Sequence, residues 1–337
     1  MVMTKLLSCV VPCFNEVENI DELHRRLSAA CCSVAAAYEI ILVNDGSHDG
    51  TWRAVEMICD TDPHVVGIDL ARNHGHQLAL TVGLEAARGD VVFTLDADMQ
   101  DPPELLGSMF AIMDRDDADV VYGRRRRRSG ESWLKRSSAA LFYRILGYLS
   151  DTELPLDAGD FRLVRRRVID VLNQMPERHR FIRGMISWIG FKQVPFDYDR
   201  APRLAGKTKY GWSKMIALGT DAITAFSISP LRFASVIGLL TGVIAVVLFA
   251  YTLLSYLSNS VVHGWSSLMG TILLFGSVQM FFLGIIGEYL GRLYIQSKNR
   301  PLYVVRQVRR NDFGASNKSG LEPELNCSIG DSGTGPN

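Results

Sequence analysis

Two long stretches of the sequence carry no charged side chain, and they constrain the fold more than any other feature. Residues 233–257 form the first stretch and residues 268–287 form the second. A helix of about 20 apolar residues crosses the hydrocarbon core of a bilayer. Both stretches are apolar on all sides, unlike a surface helix with one apolar stripe. The pattern therefore predicts two transmembrane helices, at about 233–257 and 268–290, rather than two helices in a soluble core.

Basic residues around these stretches predict the orientation in the membrane. Arg232 precedes the first stretch, residues 258–267 between the stretches contain no Lys or Arg, and basic side chains are frequent in residues 292–310. Lys and Arg concentrate on the cytoplasmic side of membrane proteins. We therefore expect a multi-pass protein of the cell inner (cytoplasmic) membrane with both termini in the cytoplasm. The basic juxtamembrane segment 293–310 is also expected to attract anionic membrane lipids.

The segments that flank the two stretches differ in character. Residues 213–231 place apolar side chains at helical spacing, which fits either an amphipathic helix in the membrane interface or a helix packed on a soluble domain. Residues 311–337 are rich in Gly, Ser, Asn and Pro and predict a disordered tail. Residues 1–212 are then expected to form a cytoplasmic domain.

Within that domain, residues 5–120 alternate between short apolar segments and amphipathic ones. The apolar segments 6–11, 39–43, 65–70 and 91–95 are typical of buried strands, and the segments between them have the period of helices. This order predicts an α/β domain whose parallel sheet is covered by helices on both faces. Ligands of such sheets bind at the carboxyl ends of the strands.

Acidic residues lie at two of these strand ends. Asp96 and Asp98 follow the strand at 91–95, and their spacing lets both carboxylates converge on a hard divalent cation. Mg²⁺ and Mn²⁺ prefer such oxygen ligands and also bind diphosphates. Asp45 follows the strand at 39–43, where it can accept hydrogen bonds from a base or a ribose. The sequence contains neither GxGxxG nor GxxxxGK[ST], so it supports neither a dinucleotide-binding fold nor a P-loop.

Composition excludes several classes of protein. The 36 Lys and Arg are balanced by 36 Asp and Glu, whereas nucleic-acid binders carry a basic excess, so we expect no nucleic-acid partner. The six cysteines show neither zinc spacing nor a disulfide framework, which favours a reducing compartment. Residues 1–11 lack the pattern of a cleaved secretory signal.

Four short motifs occur in order and together resemble a known family. They are Pro-Cys-Phe-Asn-Glu at 12–16, Asn-Asp-Gly-Ser at 44–47, Asp-Ala-Asp-Met-Gln at 96–100 and Gly-Asp-Phe-Arg-Leu at 159–163. With the two apolar stretches, the set resembles the family 2 glycosyltransferases that act on polyprenyl phosphates. It is most similar to the bacterial undecaprenyl-phosphate glucosyltransferases, and the dolichyl-phosphate mannose synthases are more distant. The resemblance covers residues 5–310.

The resemblance implies a GT-A fold, which is a Rossmann-like mixed sheet with helices on both faces, and a nucleotide-sugar donor. It implies that Asp160 is the catalytic base, with Asp157 as the rival carboxylate. The donor nucleotide would be bound by Pro12, Phe14, Glu16, Asp45, Arg72 and Asp96. The metal, Mg²⁺ or Mn²⁺, would be held by Asp96, Asp98 and Gln100. The acceptor phosphate would be bound by Arg125, Lys135, Arg136 and Arg162.

A second basic group is formed by Arg203, Lys207 and Lys209 and precedes the 213–231 segment. It fits a loop that closes over donor and acceptor, and we include its members among the acceptor-phosphate residues. It fits attraction to anionic lipid nearly as well. The run of five arginines at 124–128 leaves open which arginine contacts the phosphate.

The expected function is metal-dependent, inverting transfer of one sugar to polyprenyl (undecaprenyl) phosphate, with UDP-glucose as the first choice of donor. A GDP-mannose-dependent enzyme is the alternative within the same class. A non-catalytic membrane scaffold, or a flippase partner that retains the fold, is the alternative from another class. A processive polysaccharide synthase is disfavoured because the sequence has no QxxRW segment. A homo-oligomer is expected, and a relative in the family is a tetramer.

Overall fold

The computed structural model describes residues 6–125, 158–178, 180–199, 229–257 and 264–311. Within these residues the chain forms an eight-stranded sheet with helices on both faces, and two long helices precede its last strand. The strands are β1 (Leu7–Cys13), β2 (Tyr38–Asn44), β3 (Val65–Leu70), β4 (Val91–Thr94), β5 (Val120–Arg125), β6 (Ala158–Arg165), β7 (Gln193–Tyr198) and β8 (Val305–Arg310). The helices are α1 (Val17–Val34), α2 (Thr51–Thr61), α3 (His76–Ala86), α4 (Leu106–Arg115), α5 (Arg166–Gln174), α6 (Ile182–Ile189), α7 (Ser229–Leu257) and α8 (Trp265–Ser297). A 3₁₀ turn at Pro103–Leu105 precedes α4.

The centre of the sheet is parallel, with the strand order β4-β1-β2-β3. All seven residues of β1 are buried, because helices cover both faces of the strand. Cys9 at its middle lies opposite Ile40 of β2 and Phe93 of β4. The strands predicted at 6–11, 39–43, 65–70 and 91–95 are therefore confirmed within one or two residues.

The two ends of the sheet depart from the parallel order. Strand β6 is antiparallel to both β4 and β5, β7 is parallel to β5, and β8 is antiparallel to β3. The sheet is thus mixed, and the alternation of strands and helices predicted only its parallel part. That pattern missed β8 because the strand lies at the edge of the sheet, where mostly exposed polar side chains show no apolar alternation.

Two separate hydrophobic cores fill the space between the sheet and its helices. One lies under α1, α2 and α4, and the other lies under α3, α5 and α6. In α1 the side chains of Ile20, Leu23 and Leu27 are completely buried, as their spacing along one helix face predicts. The sheet is packed on both faces, and the loops at its strand ends extend from this packed core.

Helices α7 and α8 form where the two apolar stretches occur in the sequence. Many of their apolar side chains are exposed, with Leu239 at 71% and Phe281 at 65%. Among the described helices, the segment Leu274–Ser297 is long and apolar enough to cross a membrane, and Val236–Val247 is a shorter apolar helix. One candidate span is thus present in the described part of the chain, and the second predicted span stays a prediction.

Several predicted segments lie outside the described residues. They are residues 213–228 of the predicted interfacial helix and residues 312–337 of the predicted tail.

Candidate active site

Hydrogen bonds join the loops that follow β1 and β2. The amide of Asn15 donates to Ser47 Oγ at 3.0 Å, and the amide of His48 donates to Asn15 Oδ1 at 2.9 Å. Asn15 has a φ of 55°, a left-handed conformation that asparagine adopts more readily than most residues. The ring of Phe14 lies edge-on to His48, with 6.4 Å between ring centroids. The two loops therefore form one ordered edge of the site.

Two other predicted donor-site residues belong to the same edge. Pro12 is buried within β1, opposite Val43 of β2. The amide of Glu16 donates to Thr51 Oγ1 at 3.0 Å, and its carboxylate accepts a hydrogen bond from Asn19 Nδ2 at 2.7 Å. Glu16 thus joins the start of α1 to the start of α2.

Asp45 is buried at the end of β2 and holds the loop that follows β3. Its Oδ1 accepts a hydrogen bond from the amide of His74 at 2.7 Å, and its Oδ2 accepts one from the amide of Gly75 at 3.0 Å. Burial raises the pKa of Asp45, and these two amide donors oppose that shift. Arg72 lies in the same loop with its side chain exposed. Arg72 therefore belongs to the loop that Asp45 holds, and its predicted contact with the donor stays a prediction.

The acidic loop after β4 presents Asp96, Asp98 and Gln100. Asp98 Oδ1 accepts a hydrogen bond from the amide of Gln100 at 3.2 Å, so these two residues form a tight turn. Asp96 is half-buried, and its Oδ1 lies 3.6 Å from His76 Nε2. Burial and the negative charges of Asp160, Asp101 and Asp98 raise the pKa of Asp96 to about 6, although His76 opposes the shift.

Asp160, the predicted catalytic base, lies in β6 with its side chain 3% exposed. Arg183 of α6 binds both carboxylate oxygens, with Nε 2.9 Å from Oδ1 and Nη2 3.0 Å from Oδ2. His76 Nε2 lies 2.8 Å from Oδ2, and Gln77 Nε2 donates to the same oxygen at 3.3 Å. His76 and Gln77 both lie in the first turn of α3. Asp160 thus accepts hydrogen bonds from two helices.

These contacts determine the protonation states of Asp160 and His76. Burial by itself would raise the pKa of Asp160, but the Arg183 guanidinium and the hydrogen bonds from His76 and Arg183 hold that pKa well below its usual range. Burial by itself would lower the pKa of His76, but its hydrogen bond to Asp160 and the charge of Asp96 raise it to about 9. Asp160 is therefore a carboxylate, and a weak base, at neutral pH.

The acidic loop fits a divalent cation by the chemistry of its donors. Asp96 and Asp98 offer carboxylate oxygens within a single turn, and hard cations such as Mg²⁺ and Mn²⁺ prefer oxygen ligands. Burial and, after it, the neighbouring carboxylates raise the pKa of Asp96, and a bound cation would favour the charged form of this side chain. One ligand atom each from His76, Asp96 and Asp160 also lies within 4.8 Å of the others. The structure thus places His76 and Asp160 beside the acidic loop.

The residues predicted to bind the acceptor phosphate are only partly described. Arg125 ends β5, and Arg124 before it forms an ion pair with Asp197, with 2.6 Å between Nε and Oδ1. Arg162 is 1% exposed and donates from Nε to the carbonyl of Gly159 at 3.1 Å. Burial lowers the pKa of Arg162 to about 10. The remaining predicted residues, Asp157, Lys135, Arg136, Arg203, Lys207 and Lys209, lie outside the described residues.

Sequence analysis missed the part of the site that depends on long-range contacts. His76 was not identified as a site residue from the sequence, yet it lies between Asp96 and Asp160. Its position just after β3, at a strand end, was the available signal. No local sequence pattern identified Arg183 as a site residue, because its partner Asp160 lies in a different element of the fold.

A buried hydrogen bond connects the acidic loop to the far edge of the sheet. Tyr198 at the end of β7 donates from its hydroxyl to Asp101 Oδ1 at 2.5 Å, and both side chains are buried. We expect Tyr198→Phe to lower the free energy of unfolding by about 1–3 kcal/mol, because a buried carboxylate loses one donor. Urea denaturation of the full chain in detergent, followed by fluorescence, measures this change.

The matched control is Tyr38→Phe. The hydroxyl of Tyr38 contacts Cys32 Sγ at 3.6 Å in an exposed position, so its removal should change stability by less than about 0.5 kcal/mol. Equal losses of unfolding free energy in the two variants would mean that the hydrogen bond from Tyr198 to Asp101 contributes no more to stability than the exposed Tyr38 contact.

Comparisons with known proteins agree with this geometry. Residues 8–172 match the model of glycosyl transferase family 2, and residues 229–293 match the model of the GtrB C-terminal hairpin. An uncharacterized glycosyltransferase of Bacillus subtilis, YkcC, is 42% identical over 315 residues, which cover 92% of this chain and 95% of that protein. An uncharacterized glycosyltransferase of Synechocystis, sll0501, is 39% identical and covers 91% of this chain and 96% of its own length.

A third relative has a more specific name. The prophage bactoprenol glucosyl transferase homolog of Escherichia coli is 37% identical over 305 residues, which cover 90% of this chain and 99% of that protein. The mixed α/β sheet of GT-A type, with acidic loops at its strand ends, defines the class as glycosyltransferases. The chain belongs to glycosyl transferase family 2, as the four sequence motifs predicted.

Proposed function

We propose that this glycosyltransferase moves one sugar from a nucleotide-sugar donor to a polyprenyl phosphate at the cytoplasmic face of the membrane. The observation that carries the proposal is the convergence of Asp45, Asp96 and Asp160 at one side of the sheet, in a chain that also carries apolar, exposed helices. Relatives named as bactoprenol glucosyl transferases support a polyprenyl acceptor and favour glucose, so UDP-glucose is the first donor to test.

The donor would lie along the loops after β1, β2 and β3. Phe14, Glu16, Arg72 and Asp45 are proposed to contact the nucleotide there, and Asp45 already binds the amides of His74 and Gly75 in the loop after β3. Pro12 at the end of β1 would complete the nucleotide site. An ordered loop that needs no rearrangement on binding loses less conformational entropy.

Asp96 and Asp98, with Gln100 beside them, would hold Mg²⁺ or Mn²⁺ against the diphosphate of the donor. The ion supplies neutralisation of the charge that develops on the leaving diphosphate. Asp98 is fixed by the Gln100 amide, so its carboxylate is oriented before the ion arrives.

Asp160 would act mainly by orientation and charge. The second pKa of a phosphate monoester is about 6, so the acceptor is largely dianionic at neutral pH and is already nucleophilic. A strong base is therefore unnecessary, and the low pKa of Asp160 agrees with this role. We propose that Asp160, with Arg183 and His76, orients the acceptor or the sugar and takes up any residual proton. Attack from the face opposite the leaving diphosphate would invert the anomeric centre.

The membrane acceptor would be held by basic residues at the surface. Arg125, Lys135 and Arg136 are proposed to contact its phosphate, with Arg203, Lys207 and Lys209 closing over it. Arginine and lysine bind phosphate through charge-assisted hydrogen bonds. The buried position of Arg162 suits a supporting role behind Asp160 rather than a surface contact.

Helices α7 and α8 would anchor the domain as two spans, with residues 213–231 in the membrane interface and both termini in the cytoplasm. The exposed apolar side chains of both helices and the match to a C-terminal hairpin model support this topology. Glu288 and Arg292 pair within α8, with 2.9 Å between Nη2 and Oε1, near the proposed cytoplasmic end. Membrane lipids and further copies of the chain are the expected partners.

Nucleotide release by the purified full chain tests the proposal. The assay would use UDP- and GDP-sugars, Mg²⁺ or Mn²⁺, and undecaprenyl phosphate or none, beside Asp98→Ala and Asp114→Ala, an acidic control on α4. We expect release from one donor only when lipid and metal are both present. Asp98→Ala should lose at least about 100-fold in turnover, because the oriented carboxylate is removed, and Asp114→Ala should not.

The outcomes separate the alternatives. Release from GDP-mannose alone would replace glucose by mannose without changing the reaction class. Lipid-dependent release that is insensitive to Asp98→Ala would contradict the proposed metal site. Absence of release from every donor would favour a non-catalytic scaffold that retains the fold.

A further inference from the structure

The chain returns to the catalytic sheet after its last apolar helix. Helix α8 ends at Ser297, and strand β8 (Val305–Arg310) then pairs antiparallel with β3 at the edge of the sheet. The sequence alone assigned the basic residues of this segment to anionic lipid. The structure instead places Arg306 against the protein, beside the loop that Asp45 holds.

Three hydrogen bonds join the returning chain to residues 71–75, which we call the β3 loop. The amide of Ala71 donates to the carbonyl of Val304 at 2.9 Å, and the amide of Val304 donates to His74 Nε2 at 3.3 Å. Arg306 Nη2 donates to the carbonyl of Ala71 at 2.8 Å. Asp45 binds the amides of His74 and Gly75 from the other side, so the β3 loop is held between β2 and the C-terminal strand.

Arg306, whose side chain is 58% exposed, also pairs with a buried carboxylate. Its Nη1 lies 2.9 Å from Oδ2 of Asp69, which is 1% exposed. Asn44, the residue before Asp45, donates from Nδ2 to Asp69 Oδ1 at 2.6 Å. A buried charge without its partner is strongly unfavourable. The Arg306 guanidinium therefore connects β3 with the β3 loop. Through Asp69 and Asn44 it also connects both of them to the end of β2.

The start of the returning segment is fastened as well. Arg178, in the connection between α5 and α6, donates from its amide to Gln296 Oε1 at 3.3 Å and from Nη2 to Asn299 Oδ1 at 3.1 Å. Gln296 Nε2 donates in return to the carbonyl of Pro176 at 3.0 Å. The hydroxyl of Tyr303 donates to Glu85 of α3. The end of α8 and strand β8 are thus both attached to the catalytic domain.

We propose that strand β8 is a positioning element of the donor site and that Arg306 is its principal positioning residue. The strand holds the β3 loop in the conformation in which its amides bind Asp45, and it joins that loop to the end of an apolar helix. This inference rests on the proposed role of Asp45 in binding the nucleotide. Its consequence is that part of the donor affinity depends on a residue that follows the apolar helices.

The test uses the full chain in detergent micelles and three variants. Arg306→Gln removes the charge and both contacts. Arg306→Lys keeps a charge for Asp69 but cannot also reach Ala71 as the guanidinium fork does. Arg309→Gln is the matched control, because Arg309 lies on the same strand but pairs with exposed Asp60, with 3.0 Å between Nη2 and Oδ1.

Amide hydrogen exchange of the β3 loop is the first readout and needs no turnover. We expect exchange at His74 and Gly75 to be about tenfold faster in Arg306→Gln, an intermediate change in Arg306→Lys, and none in Arg309→Gln. The amides of β1 are the internal reference, because local opening leaves them protected whereas global unfolding does not. Equal exchange in Arg306→Gln and Arg309→Gln would overturn the inference.

Steady-state kinetics with UDP-glucose and undecaprenyl phosphate is the second readout. We expect Arg306→Gln to raise the donor KM about tenfold with little change in the lipid KM, because only donor binding is disturbed. A change confined to the lipid KM or to vesicle binding would overturn the inference in favour of a lipid contact. Lack of turnover in the unmodified protein would count against the proposed function alone, since exchange still decides the role of Arg306.

Discussion

Replacing Asp160 by Asn should reduce turnover by roughly 10²–10⁴-fold, which is the range for a group that acts at the reacting atoms. Asn keeps the size of the side chain but removes the charge that Arg183 and His76 share. Arg183 would then lie beside a neutral amide, and His76 would lose the hydrogen bond to a carboxylate that raises its pKa. The measurement is kcat for nucleotide release at saturating lipid.

The pH dependence of this loss tests whether Asp160 acts as an ionised, orienting carboxylate. Burial raises the pKa of Asp160, but Arg183 and His76 reverse the shift and hold that pKa well below its usual range. The carboxylate is therefore ionised throughout the range from about pH 6 to about pH 8. An orienting carboxylate predicts the same fold-loss in Asp160→Asn at both pH values. Near-normal turnover of Asp160→Asn at both pH values would show that Asp160 has no catalytic role.

The control is Asp170→Asn, which neutralises a half-exposed carboxylate on the neighbouring helix α5. Asp170 Oδ1 lies 3.9 Å from Nη1 of Arg166 at the (i, i+4) spacing, and such surface pairs contribute little. We expect its turnover to be unchanged. Arg183→Lys should lie between the control and Asp160→Asn, because lysine supplies charge without the two-point contact that fixes the carboxylate plane.

Replacing Gly46 by Ala should raise the donor KM at least about tenfold and lower the free energy of unfolding by about 1–3 kcal/mol. Gly46 has a φ of 63°, which L side chains rarely adopt. A Cβ there would lie 2.4 Å from the carbonyl carbon of Arg72 and 2.5 Å from the amide nitrogen of Asn73. These are backbone atoms of the β3 loop, so the loop itself would have to move.

Gly107→Ala is the matched control for Gly46→Ala. Gly107 lies in the first turn of α4, and a Cβ there meets Val34 Cγ1 at an ordinary 3.5 Å. Alanine in a helix is more favourable than glycine by about 0.5–1 kcal/mol, so this variant should be as stable as the unmodified protein or more so. A donor KM for Gly46→Ala that matches the control would mean that the loop contact does not affect the donor site.

Local sequence patterns were sufficient for the parallel half of the sheet and for its strand-end residues. The apolar segments 39–43 and 91–95 form strands because their side chains can be buried only between two layers of helices. Asp45 and Asp96 then follow at the same edge, since parallel strands end on the same side. The family motifs and the two apolar helices are local features as well, and they too were found from the sequence.

The contacts that decide how these residues act were not readable from the sequence. Asp160 meets Arg183 and His76 because β6 inserts antiparallel beside β4, and nothing in the local pattern of β6 specifies that neighbour. Arg306 reaches Asp69 across more than two hundred residues of chain. Pairing between distant segments depends on loop closure and on competition among strand edges, which short-range periodicity does not record.

The sequence by itself therefore determined the class of fold, the family, the apolar helices and most of the acidic residues of the site. Each of these follows from side-chain spacing along one segment of chain. The tertiary structure alone decided that Asp160 is ionised between two cations, that His76 lies beside Asp96, and that the C-terminal strand supports the β3 loop. These properties depend on burial and on distances between side chains of separate elements, and such distances exist only once the chain has folded.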